Sequence, residues 1–93
     1  MSKLTVYTKD LCGYCVMAKR QLTEMGIEFE EINIELDTDT RTWLMEQGHR
    51  TMPQIYFNGK PICENGAQGL AKMNEDEIRS AMGDFDFDIS MKL

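Results

Sequence analysis

The sequence predicts an α/β domain, a four-stranded mixed sheet flanked by helices in the order β-α-β-α-β-β-α. Three segments carry this expectation. "KLTVYT" alternates with period two and gives way, across a pair of cysteines, to apolar residues at helical spacing. "IEFEEINIEL" alternates again and runs into residues suited to cap a helix. "QIYFNGKPI" has the pattern of a hairpin with an Asn-Gly turn.

In the first strand Leu4 and Val6 alternate with Thr5 and Tyr7, as expected when one face is buried. From Cys15 the spacing changes. Cys15, Ala18, Leu22 and Met25 share a helical face, Lys19, Arg20, Gln21 and Glu24 fill the other positions, and Gly26 is a suitable stop. The second strand sets Ile32, Ile34 and Leu36 against Asn33 and Glu35. Asp37, Thr38 and Asp39 are candidate N-caps, because their side-chain oxygens can accept the free N–H groups of a first turn. The helix they open carries Trp43 and Leu44 and ends near Gly48. In the hairpin, Ile55 and Phe57 alternate with Gln54 and Tyr56, Asn58-Gly59 tolerates positive φ, and Pro61 places the return strand at an edge. Asn74 and Glu77 stand at capping-box spacing ahead of Ile78 and Met82, which predicts a last helix ending near Gly83.

A chain of 93 residues suits one domain, here 1–93, with 84–93 as a C-terminal tail. Phe85, Phe87 and Ile89 in "DFDFDI" either pack on the domain or form a docking site for a partner. The composition, 42% hydrophobic and 28% charged, is that of an ordinary globular protein. A formal charge of −6 argues against a broad electrostatic grip on nucleic acid or anionic membrane. No apolar run approaches the roughly 20 residues of a membrane span, and "MSKLTVYTKD" lacks the apolar centre of a secretory signal. The expectation is a cytoplasmic protein with neither nucleic-acid nor membrane partners.

Of three cysteines, only Cys12 and Cys15 are close in sequence, and they fall where the strand turns into the helix. As a permanent staple they would close too short a loop to constrain the unfolded chain much. As zinc ligands they lack a second half, since Cys63 and the sole histidine, His49, have no paired spacing. No metal is expected, and His49 reads as a loop residue. The remaining reading is a redox dithiol. The unpaired N–H groups and dipole of a helix start favour negative charge on Cys12, and thiolate is the attacking form. Cys15, a turn further in, has fewer free N–H groups around it. Cys12 is therefore the expected nucleophile and Cys15 the resolving thiol. Residues three apart on a helix have Cβ atoms about 5–6 Å apart, beyond disulfide range, so closing the bond is expected to distort the first turn and ease its reduction. Gly13 gives that turn backbone freedom and keeps an N–H, while Lys9 adds a nearby positive charge. Cys63, on the presumed edge strand, reads as a buried inert thiol.

With these residues placed, the chain resembles a glutaredoxin of the thioredoxin-like superfamily. The resemblance rests on "YTKDLCGYC" after the first strand, "GHRTMPQIYFNG" before the hairpin and "GAQGL" opening the next helical stretch. It implies a thioredoxin-like fold and a glutathione-dependent thiol–disulfide oxidoreductase that reduces protein disulfides and glutathione mixed disulfides. It implies a cis peptide bond before Pro53, facing the cysteines. It further implies glutathione as reductant, with Lys9 and Arg50 on its glycine carboxylate, Tyr14, Thr51 and Pro53 in the groove, Met52 holding its cysteinyl backbone, and Gln68 and Gly69 at its γ-glutamyl end. Many relatives carry a glycine pair and aspartates there, where this chain has Asn65, Gly66, Ala67, Gln68 and Gly69. Gly13 stands where proline is more usual, which resembles members able to hold a [2Fe–2S] cluster through one cysteine and glutathione in a dimer. The expected form is a monomer without a tightly bound cofactor, serving disulfide-containing proteins such as ribonucleotide reductase, with thioredoxin reductase as the alternative reductant.

Overall fold

The computed structural model describes residues 3–64 and 66–83. In β1 (Leu4–Thr8) the side chains of Leu4, Val6 and Thr8 are buried and Thr5 and Tyr7 face the other way, the predicted alternation. There follow α1 (Gly13–Glu24), β2 (Phe29–Asn33), α2 (Thr38–Glu46), β3 (Gln54–Phe57), β4 (Lys60–Pro61), α3 (Gly66–Ala71) and α4 (Glu75–Ala81). The sheet order is β2-β1-β3-β4, with β1 parallel to β2 and antiparallel to β3, and β3 antiparallel to β4. It is a mixed four-stranded sheet flanked by helices, with Pro61 on the edge strand. Asn58 and Gly59 both adopt positive φ, as a tight hairpin turn requires. No helix among the described residues is long and apolar enough to cross a membrane.

Two buried clusters lie against the sheet. One joins Leu4, Val6 and Ile55 to Ala18 and Leu22 of α1, Leu70 of α3 and Ile78 of α4. The other joins Cys15, Ile34, Leu44, Met52 and Tyr56, with Tyr7, Cys12 and Trp43 partly buried against it. Each fully buried leucine or isoleucine contributes about 1.5–3 kcal/mol. In the second cluster Tyr7 and Trp43 both meet the Tyr56 ring edge-on, with centroids 5.4 Å away in each case, and the Tyr56 hydroxyl hydrogen-bonds to His49 Nε2. The helices are capped as their sequences suggest. Asp37 accepts the Thr40 N–H at 3.1 Å, and Asn74 and Glu77 form a reciprocal capping box.

Four expectations need correction. The order gains a helix, β-α-β-α-β-β-α-α, because Gly66–Ala71 forms α3 separately from α4. A six-residue helix with two glycines is weak by propensity, and α3 is held by the burial of Ala67 and Leu70. The second strand stops at Asn33, because Asn33 Oδ1 accepts the Glu35 N–H at 2.8 Å and turns the chain, leaving Leu36 85% exposed. Ile34 is still buried and donates its N–H to the Thr8 carbonyl at 2.9 Å. Cys63 lies beyond the short β4 rather than on it. Gln54 and Tyr56 are buried as well as Ile55, since helices cover both faces of β3, and the Gln54 amide is satisfied by the Thr51 carbonyl at 2.8 Å. The tail at 84–93 and Asn65 lie outside the described residues.

The buried Thr8 hydroxyl donates to Glu31 Oε2 at 2.7 Å, and Lys19 Nζ reaches both carboxylate oxygens at 3.1 Å. The Thr8 hydrogen bond, helped by the Lys19 ammonium, holds the Glu31 carboxyl below its usual range. Folding therefore favours the ionised form, so this stabilisation is present above the ordinary glutamate pKa and is lost as pH falls through the lowered value. In urea unfolding, the advantage of wild type over Glu31→Gln shrinks as pH falls below about 4.3. A difference that stays constant down to strongly acid pH contradicts this account.

Candidate active site

β1 and β3 are antiparallel neighbours with Tyr7 opposite Gln54, so the residues that leave β1 meet those that enter β3. This topology brings the Cys12 loop to Met52 and Pro53. The Met52–Pro53 bond is cis, as the resemblance implies, and Cys12 Sγ lies 3.6 Å from the Met52 carbonyl oxygen. The loop after β1 is tied to the end of β2, where Asn33 Nδ2 donates to Asp10 Oδ1 at 2.8 Å and the Asp10 N–H donates to Glu35 Oε2 at 3.1 Å.

Cys12 is the N-cap of α1, with φ −115° and ψ 103°, and its Sγ accepts the Cys15 N–H at 3.2 Å. The two sulfurs are joined in a disulfide, with Cα atoms 5.2 Å apart. The expected distortion of the first turn is not needed. The helix begins at Gly13 and Cys12 stands outside it in extended conformation, so the pair are not two helical residues three apart. Gly13 does not use its conformational freedom either, since its φ is not positive and an added Cβ would meet nothing within 4 Å. The sulfurs differ in access: Cys15 is 2% exposed, Cys12 only partly buried. No acidic residue occupies the first turn of α1 to oppose a negative charge on Cys12.

Two clefts meet at Met52. One, of about 310 Å³, is lined by Tyr14, Thr51, Met52, Pro53, Gly66, Ala67 and Gln68. The other, of about 420 Å³, is lined by Lys9, Ile34, Arg41, Met45, His49, Arg50 and Met52. The structure thus gathers seven of the eight residues expected around a ligand. Gly69 lines neither cleft, and a Cβ there would collide with the Glu64 carbonyl oxygen, so this glycine allows α3 to pack against the preceding loop. From sequence Arg41 has no assigned role, His49 reads as a loop residue, and Gly66 and Ala67 appear only within the segment at the γ-glutamyl end. Arg41 carried a usable signal, since a cation on the helix preceding "GHRTMP" can reach the same cleft as Arg50. Gly66, buried with φ +53°, lies so close to the Pro53 carbonyl oxygen that a Cβ would overlap it.

Cys63 is partly buried, with its Sγ 3.5 Å from the Gly66 carbonyl oxygen, and burial pushes its thiol above the usual range. That favours the thiol over the nucleophilic thiolate. Among the described residues, no group of three or more His, Cys, Asp or Glu is placed to hold a metal ion.

A paired cysteine at a strand-to-helix turn, facing a cis proline across a mixed sheet, defines a thioredoxin-like thiol–disulfide oxidoreductase. Comparison with known proteins narrows this class. The glutaredoxin family model matches residues 4–62, and the chain belongs to the glutaredoxin family. It is 33% identical over 63 residues to glutaredoxin 3 of Escherichia coli strain K12, covering 67% of this chain and 76% of that protein. The solution structure of a glutaredoxin from Brucella melitensis superposes with a TM-score of 0.71 at 29% identity, over 89% of this chain and 92% of the other. The NrdH-redoxin of Escherichia coli, described as a glutaredoxin-like protein with a thioredoxin-like activity profile, superposes with a TM-score of 0.60 at 29% identity, over 63% of this chain and 78% of that one.

The approach of Gly66 to Pro53 sets a test of how the site is held. Gly66→Ala lowers the melting temperature, corresponding to at least about 1 kcal/mol from the left-handed backbone alone, and slows turnover because the Met52–Pro53 loop is displaced. Gly13→Ala, with open space around it, leaves the melting temperature nearly unchanged. Equal tolerance at the two positions contradicts this packing.

Proposed function

We propose that Cys12 is the nucleophile and Cys15 the resolving thiol of a glutathione-dependent oxidoreductase that reduces protein disulfides and glutathione mixed disulfides. One observation carries this reading: Cys12 is the accessible sulfur, capping a helix beside Met52 where two clefts meet, and Cys15 is buried behind it. The Cys12 thiolate attacks one sulfur of the substrate disulfide, forming a mixed disulfide and releasing the other sulfur as thiolate. Cys15, losing its proton, attacks Cys12, which closes the Cys12–Cys15 disulfide and expels the second substrate thiol. Two glutathiones then restore the dithiol and leave as glutathione disulfide. A glutathione mixed disulfide needs only the first attack by Cys12, followed by one glutathione.

Glutathione is supported by the charge of the second cleft. Lys9, Arg41 and Arg50 line it and no acidic side chain among the described residues does, in a chain of net charge −6, which suits the glycine carboxylate. Met52 would offer its backbone to the cysteinyl residue, while Tyr14 and Gln68 would flank the γ-glutamyl end. The protein then works as a monomer in the cytoplasm, and a recipient such as ribonucleotide reductase falls within its substrate class. Thioredoxin reductase as the reductant is a second reading, favoured because no acid among the described residues lines the Tyr14–Gln68 cleft to hold the γ-glutamyl ammonium. The likeness to the NrdH-redoxin points the same way.

Turnover of a mixed disulfide of glutathione and mercaptoethanol, driven by glutathione with glutathione reductase or by NADPH with thioredoxin reductase, separates the two. The glutathione system sustains turnover, and Arg50→Ala raises the KM for glutathione by roughly tenfold or more, the equivalent of one charge-assisted hydrogen bond. Cys15→Ser retains this activity and loses protein-disulfide reduction, whereas Cys12→Ser loses both. Activity in Cys12→Ser overturns the assignment of roles, and turnover with thioredoxin reductase alone overturns the choice of reductant.

A further inference from the structure

Leu11, the residue immediately before Cys12, is 104% exposed, and its backbone is in the left-handed region with φ +54°. Both facts run against the residue type. A leucine in water gains nothing from burial, and a side chain with a Cβ is disfavoured at positive φ. The other non-glycine residue with positive φ among those described, Asn58, sits in a hairpin turn that calls for it, and asparagine tolerates that conformation. Leu11 also lies in a turn, but leucine lacks asparagine's tolerance of that conformation. Nor is the loop slack, since the preceding Asp10 is tied to the end of β2 through its carboxylate to Asn33 and to the turn beyond it through its N–H to Glu35. The framework holds the leucine out into solvent beside the attacking sulfur.

We infer that Leu11 is a docking residue for polypeptide substrates, reading an apolar side chain next to the substrate cysteine. The inference rests on Cys12 being the nucleophile, as proposed above. Thiol–disulfide exchange requires the substrate sulfur to touch Cys12, so any polypeptide disulfide must cover the residues around it. Leu11 lines neither of the clefts that meet at Met52. With Val16, itself 56% exposed, it borders a third hollow that contains both cysteines and adjoins the second cleft at Lys9. A tripeptide seated in the Met52 clefts leaves Leu11 uncovered, whereas a chain that continues past its reacting cysteine reaches it. The occupant is thus a disulfide-bearing polypeptide with an apolar residue flanking its cysteine. Glutathione held in the Met52 clefts is not this occupant.

The test uses two disulfide-linked peptides, identical except for Leu or Ser beside the cysteine, and the small mixed disulfide as a third substrate. Wild type prefers the Leu peptide over the Ser peptide by about tenfold in kcat/KM, the scale of one apolar contact. In Leu11→Ser and Leu11→Gly this preference falls toward unity, and the loss is several-fold greater on the Leu peptide than on the small mixed disulfide. Leu11→Gly also melts no lower than wild type, because glycine relieves the positive φ, so its loss of preference is not a folding defect. Equal slowing on all three substrates assigns Leu11 to positioning Cys12 and overturns the inference, as does a preference that survives both substitutions. A concentration-dependent dimer that Leu11→Ser dissociates overturns it in favour of self-association. If wild type turns over the mixed disulfide but neither peptide, the dithiol reading fails and this inference falls with it.

Discussion

The hydrogen bond from the Cys15 N–H to Cys12 Sγ organises the site. It makes a sulfur the cap of α1, where other helices use a serine, an aspartate or, as in α4 here, an asparagine. A cap must accept hydrogen bonds, and a thiolate accepts them better than a thiol does. On the proposed assignment of roles, the same contact that starts the helix favours the thiolate of Cys12. Because Cys12 lies outside the helix and Cys15 inside, it also separates an accessible sulfur from a buried one within four residues.

The rest of the fold keeps that cap in place against Met52. Strand β1 delivers it, β3 delivers the opposing loop, and their antiparallel pairing sets the distance between the two. On one side α2 closes the aromatic group of Tyr7, Trp43 and Tyr56 beneath Cys15, and on the other α3 presses Gly66 against Pro53. Both supports come from weak pieces of secondary structure, a nine-residue and a six-residue helix, so their positions depend on burial of Leu44 and Leu70 rather than on helix propensity.

Much of this was legible in the sequence wherever local chemistry and global position agree. The period-two run in β1, the Asn58-Gly59 turn and the Asn74–Glu77 capping box each state their structure within a few residues. The cysteine pair states its place at a strand-to-helix turn, and the cis bond before Pro53 followed from family resemblance. What was not legible depends on contacts across the fold. The early end of β2 follows from one side chain, Asn33, capturing a backbone N–H. The separate α3 follows from burial that "GAQGLA" does not announce. The packing role of Gly69, and the nearness of Arg41 to Arg50, require knowing which loops lie side by side. Nothing in the sequence marks Leu11, and only its backbone angle and complete exposure give it meaning.

The central claim is that the helix cap keeps Cys12 ionised near neutrality. Alkylation of Cys12 by iodoacetamide in reduced Cys15→Ser protein, followed against pH, measures this directly, because the Cys15 backbone N–H is retained. The rate profile should have its midpoint in the range of about 3.5–7.5 seen for thiols at helix N-termini. A midpoint at about 8.5, the value of a free cysteine, would contradict the account.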